Sequence, residues 1–149
     1  MTAPHLTALA DQLTAANADA ERTLHAAHHR GAGTRLSHVR PHPWLAGHAA
    51  ALGLALAYGT AHLCPHIGPA QRVVHAAVWA PGRLVCPLCI RQLRPSTVED
   101  STCDRCHRHA PRLHAAAAAF GPILLGYGLC PNCQHDIDTA HRCRKERHQ

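Results

Sequence analysis

Three cysteine pairs share one spacing: Cys86-Pro-Leu-Cys89, Cys103-Asp-Arg-Cys106 and Cys130-Pro-Asn-Cys133. Two intervening residues let a tight turn aim both thiolates at one ion, and the turn leaves backbone N–H groups free to bond the sulfurs. One such pair signals little, whereas three in a short chain point to metal. Thirteen residues separate the first two pairs, within reach of a hairpin, which predicts a four-thiolate tetrahedral site. The third pair needs two more ligands. Cys64-Pro-His66 offers them upstream, the longer reach of imidazole offsetting the shorter spacing, and His62 can stand in for His66. His141 and Cys143 are the downstream alternative, in a polar tail. Taking Cys64 and His66 closes the count at eight ligands and two ions, with Cys143 left over.

Pairing among these four units is open at this point. Sequential pairing joins Cys64, His66, Cys86 and Cys89, then Cys103, Cys106, Cys130 and Cys133. Nested pairing keeps the middle units together, and interleaved pairing makes a cross-brace. Loop closure separates them weakly, since doubling a loop costs only about 0.6 kcal/mol. The short hairpin between Cys89 and Cys103 makes the nested arrangement the preferred one.

Other chemistries lack their residues. A zinc deaminase needs His-x-Glu before its cysteine pair and a metalloprotease needs His-Glu-x-x-His; neither occurs, and Glu21, Glu99 and Glu146 are the only glutamates. No phosphate-cradling glycine loop or nucleophile elbow is present. A thioredoxin-like redox site uses one pair in a βαβ setting, so three pairs favour metal over thiol catalysis. The chain is therefore expected not to be an enzyme. A zinc-thiolate redox sensor or thiol oxidoreductase is the alternative, and iron–sulfur ligation a further one. His28, His29, His107 and His109 are expected on solvated surface, and Trp44 and Trp79 as core anchors rather than base-stacking platforms.

The elements that must position these ligands are sparse in bulk. The 149 residues leave room for one domain, and 46% are hydrophobic, but only 3% are aromatic. Metal ions are thus expected to replace part of the core. Leu6, Leu9, Leu13, Ala16, Ala20 and Leu24 recur at steps of three or four, which predicts a helix over residues 1–30 with a stripe for docking or for pairing with a second copy. Residues 31–43 read as a linker, 44–138 as the metal-binding domain and 139–149 as a basic tail, a fraying helix or disordered. Trp44 to Leu63 carries no Asp, Glu, Lys or Arg, yet its alanines, glycines and histidines favour a buried helix, or helix plus strand, over a membrane span. Gln71 to Trp79 is a short helix or strand, and Pro81-Gly82 a turn. Arg83-Leu84-Val85 reads as a strand, the alanine run of Leu113 to Phe120 as a helix ending at Gly121-Pro122, and Ile123-Leu124-Leu125 as a strand.

With strands leading into ligand pairs, residues 63–138 resemble the broad zinc-ribbon and treble-clef class of modules. That resemblance implies an α+β fold, small and zinc-stabilised, with an N-terminal helix. The net charge of +6 falls to about +3 once seven thiolates hold two Zn²⁺. A structural zinc module mediating macromolecular interaction follows, its partner a nucleic acid or a regulatory protein, with Arg83, Arg91, Arg94, Arg105, Arg108, Arg112 and the tail as candidate phosphate contacts. Homodimerisation through the N-terminal helix is a further possibility. The acidic residues and missing apolar block of the first 29 residues argue against a secretory leader, and paired cysteines in a reducing setting suit a cytoplasmic location.

Overall fold

A computed structural model describes residues 3–29, 42–68 and 72–146. Most of the expected linker lies outside them. So do the side chains of Leu6 and His28 and those from residue 140 onward, which include His141, Cys143 and the basic groups of the tail.

Helix α1 (Ala3–His29) follows the predicted stripe, but only its second half is covered. Ala16, Ala20 and Leu24 are buried, while Leu9 and Leu13 remain 40% exposed. Helix α2 (Pro43–Ala57) starts on a proline in its first turn, with the His42 ring accepting from the Trp44 N–H at 3.2 Å. It stops in a paired backbone lock: Gly59 N–H reaches Leu56 C=O and Thr60 N–H reaches Ala55 C=O, with Gly59 at φ +67°. Strand β1 (His62–Leu63) follows at once, so the uncharged segment is a helix plus a strand. Among the described residues no helix is long and apolar enough to cross a membrane.

Strands β2 (Val74–Ala77), β3 (Ala80–Val85), β4 (His114–Phe120) and β5 (Ile123–Leu129) complete one sheet in the order β1-β3-β2-β5-β4. The β2–β3 and β4–β5 neighbours are antiparallel, whereas β1–β3 and β2–β5 are parallel. Alternation along the strands separates two layers. Leu124, Ala117 and Ala119 pack with Ala20 and Leu24 of α1. Ala76, Leu84, Ala116, Ala118, Leu125 and Tyr127 share the other layer with Leu45 and Leu52 of α2 and with Ile137 of helix α3 (Pro131–Glu146). The boundary expected at 138/139 falls inside α3.

Two expectations change. The alanine run is a strand, not a helix, because it pairs with β5 residue for residue from His114↔Leu129 to Phe120↔Ile123. Alanine's helix propensity is worth only tenths of a kcal/mol per residue, and this tertiary pairing overrides it. Its small side chains also let α1 lie close to the sheet. Pro81-Gly82 is not the turn: the chain reverses at Val78-Trp79, and the dipeptide sits within β3, where the register shifts and Gly82 takes φ +74°. Gly121 and Pro122 do form a turn, joining β4 to β5 with Gly121 at φ +58°.

Candidate metal centres

Among the described residues two groups of four donors form, and their pairing is sequential. Cys64, His66, Cys86 and Cys89 make one cluster and Cys103, Cys106, Cys130 and Cys133 the other, each with its donor atoms all within 4.8 Å of one another. The nested arrangement, with Cys86, Cys89, Cys103 and Cys106 at one ion, is therefore corrected. The thirteen residues between Cys89 and Cys103 build no hairpin; they hold the end of one short 3₁₀ helix, Pro87–Leu93, and the whole of a second, Glu99–Ser101. Strand β3 runs against β2, and β2 runs along β5, so the cysteines following β3 and β5 sit at opposite ends of the sheet.

Strand pairing assembles the first cluster. Because β1 lies parallel to β3 with Leu63 beside Leu84, the residues following the two strands converge, and the Cys86 N–H donates to Cys64 Sγ at 3.3 Å. Cys64 N–H donates to the Leu84 carbonyl, and Ile67 N–H to the Cys64 carbonyl, closing the turn that carries His66. Cys86 caps the 3₁₀ helix Pro87–Leu93, whose first turn presents Cys89. His66 Nδ1 lies 3.1 Å from Cys89 Sγ, which places His66 in the cluster and leaves His62, on β1, out of it. The three cysteines are buried and His66 is exposed.

The second cluster repeats this plan. A turn carries Cys103 and Cys106, hairpin β4–β5 follows, and Cys130 and Cys133 stand at the start of α3 with Pro131 between them. Cys130 N–H donates to Cys103 Sγ at 3.3 Å, the counterpart of the Cys86–Cys64 bond. The turn is fixed by His107 N–H donating to the Cys103 carbonyl, with His107 at φ +56°, and by Cys103 N–H donating to the Arg108 carbonyl. Asp104 ties it to β5: its carboxylate accepts the Gly128 N–H at 2.6 Å and its own N–H donates to the Gly128 carbonyl.

The donor chemistry fits a thiophilic tetrahedral ion. Cys106 Sγ and Cys130 Sγ are 3.9 Å apart, close to the edge of about 3.8 Å of a tetrahedron of sulfurs around Zn²⁺. The thiols are electrostatically uneven. Hydrogen bonds from the Arg108 backbone and guanidinium bring Cys106 down to about 6 against the cost of burial. Burial pushes Cys64 upward, but hydrogen bonds from the Cys86 and His66 backbone and from the neighbouring thiols outweigh it and leave Cys64 at about 7. Burial and the adjacent thiols push Cys89 up to about 11 and Cys133 up to about 12. Each cluster thus has at least one sulfur ready to be a thiolate, and an ion's own charge favours the rest.

Asp104 and Arg108 are the site residues that spacing alone did not single out, although both lie in the Cys-Asp-Arg-Cys-His-Arg run. Arg105 is also engaged internally, reaching Asp136 at 3.2 Å and the Cys133 carbonyl at 3.4 Å. Trp44 packs edge-on against Tyr127, and Trp79 donates its indole N–H to the Leu93 carbonyl at 2.8 Å, so both tryptophans are anchors. Set against known protein families, curated proteins and solved structures, the chain matches none of them.

Proposed function

We propose that the chain is a structural zinc module holding two ions, and that it serves macromolecular interaction. The observation carrying this reading is the pair of closed four-donor clusters, each built from a turn and the end of a hairpin. Zn²⁺ suits three thiolates and an imidazole as well as four thiolates, and four protein donors leave no position for catalytic water. The order of turn, hairpin and helix over residues 103–146 supports a treble-clef arrangement, and the shorter unit over residues 64–93 is its counterpart with a 3₁₀ helix in place of α3. The redox-sensor reading is weaker, since its thiols are mostly buried ligands.

A protein partner is favoured over nucleic acid. Two of the candidate phosphate contacts are engaged within the fold, Arg105 by Asp136 and Arg83 by the Gln92 carbonyl. Helix α2 and the residues after it carry no charge, and Leu54, Tyr58 and Leu63 are exposed by 57%, 78% and 50%. An uncharged exposed patch suits a protein surface and contributes nothing to phosphate binding. The test has two parts: zinc content of the tag-free protein, and binding to random duplex DNA across a salt series. About two zinc ions per chain with negligible duplex binding is expected. Duplex affinity falling steeply with salt transfers the function to nucleic acid, and a chain without zinc removes the proposal.

A further inference from the structure

The sheet face beneath α1 is not covered along its whole length. At the C-terminal end of that helix a cavity of about 380 Å³ opens between its last turns, strands β2 and β5 and the 3₁₀ helix Pro87–Leu93. That volume lies within the range of small-molecule sites, about 300–1,000 Å³. Its walls are mainly apolar, with Leu24 on one side and Ile90, 47% exposed, on the other. The Trp79 ring forms the end wall, held by its bond to the Leu93 carbonyl. It lies over Gly126, where a Cβ would stand 3.5 Å from the ring.

Besides Thr23, whose hydroxyl donates to the Asp19 carbonyl at 2.9 Å, two polar residues line this apolar space, His75 and Arg94. Neither side chain has a hydrogen-bond or ion-pair partner among the described residues. A guanidinium forks to a carboxylate, and an imidazole N–H adds a second donor. We propose that the cavity binds a small apolar carboxylate of the medium-chain aliphatic type, its chain against Leu24, Ile90 and Trp79 and its carboxylate on Arg94 and His75. One fixed cation matches one negative charge, which favours a monocarboxylate over a phosphate ester. The site is separate from both clusters, although the 3₁₀ helix on its rim begins directly after Cys86.

The test uses octanoate, with octan-1-ol as the uncharged control, on the full-length protein with its metal content recorded separately. A missing metal and a missing ligand site are therefore told apart. The two tryptophans give two indole N–H signals in a ¹⁵N-correlated NMR spectrum, and Trp44, in the other layer, is the internal reference. Octanoate is expected to shift the Trp79 signal saturably, leave Trp44 in place and bind about tenfold more tightly than octanol. Arg94→Gln is expected to lower octanoate affinity to the octanol level while octanol binding is unchanged, which also reports an intact cavity. Equal affinity for acid and alcohol, an unaltered Arg94→Gln titration, or no saturable shift at Trp79 overturns the proposal.

Discussion

Replacing Cys86 by alanine separates the two pairings cleanly. Cys86 is 4% exposed and supplies one of the four donors, so alanine, which keeps the backbone N–H bond to Cys64 Sγ but lacks the thiol, leaves His66, Cys64 and Cys89 as an incomplete set. A structural zinc site is worth about 10–16 kcal/mol of apparent binding free energy at neutral pH. The total stability of a domain is only about 5–15 kcal/mol, so the region held by the first ion should open when its ligand set is broken. The second cluster draws all its donors from Cys103 onward, at the opposite end of the sheet, on a hairpin paired from His114 to Phe120. Native mass spectrometry is expected to count about one zinc instead of two. Alkylation followed by peptide mapping is expected to find Cys64 and Cys89 newly reactive, with Cys103, Cys106, Cys130 and Cys133 protected. Newly reactive Cys103 and Cys106 with a protected Cys64 is the nested pattern and refutes the sequential assignment.

Alternation along β4 gives a second test: Ala118→Leu, at a buried site, should cost about 1–3 kcal/mol, and Ala115→Leu, at an exposed one, less than about 0.5 kcal/mol by urea unfolding. A helix would place both positions on one face and make the two costs similar. Leu24→Ala should cost about 2–4 kcal/mol, because that side chain is 4% exposed and anchors α1 to Leu124; an unchanged unfolding midpoint contradicts the docking. Gly121→Ala, which forces a Cβ into φ +58° and to 3.4 Å from Asn17 Oδ1, should cost about 1 kcal/mol or more. Burial holds the His75 pKa below its ordinary value, so the unfolded chain takes up that proton first. Stability is then full above about pH 6.5 and declines as pH falls through the lowered value. His75→Gln should remove that part of the acid loss in unfolding series at about pH 7.5 and 6, and identical slopes for the two proteins contradict it.

Spacing made the candidate ligands legible, and hydrogen-bond topology decided which of them cluster. Cys-x-x-Cys is a local pattern, readable wherever it occurs, and the apolar approach of Arg83-Leu84-Val85 and Ile123-Leu124-Leu125 announced strands entering two of the pairs. Which units meet depends on β1 lying beside β3 and on the β4–β5 hairpin, contacts between residues far apart in sequence. The alanine run concealed that hairpin, since alanine's local preference is for helix and its role here is to be small under α1. The stripe of α1 was readable from its period, but not that the cover ends before Leu13. Asp104 and Arg108 act through backbone and sulfur contacts that only the folded turn creates.

The central claim, that two closed zinc sites built from these two donor clusters hold this fold, is tested most directly by metal analysis of protein purified without a histidine tag or chelator. Thiols are titrated before and after metal release in the same sample. The account predicts about two zinc ions per chain and release of the seven cluster thiols, Cys64, Cys86, Cys89, Cys103, Cys106, Cys130 and Cys133, only when the metal leaves. Iron in place of zinc, or cluster thiols that react freely before metal removal, contradicts it.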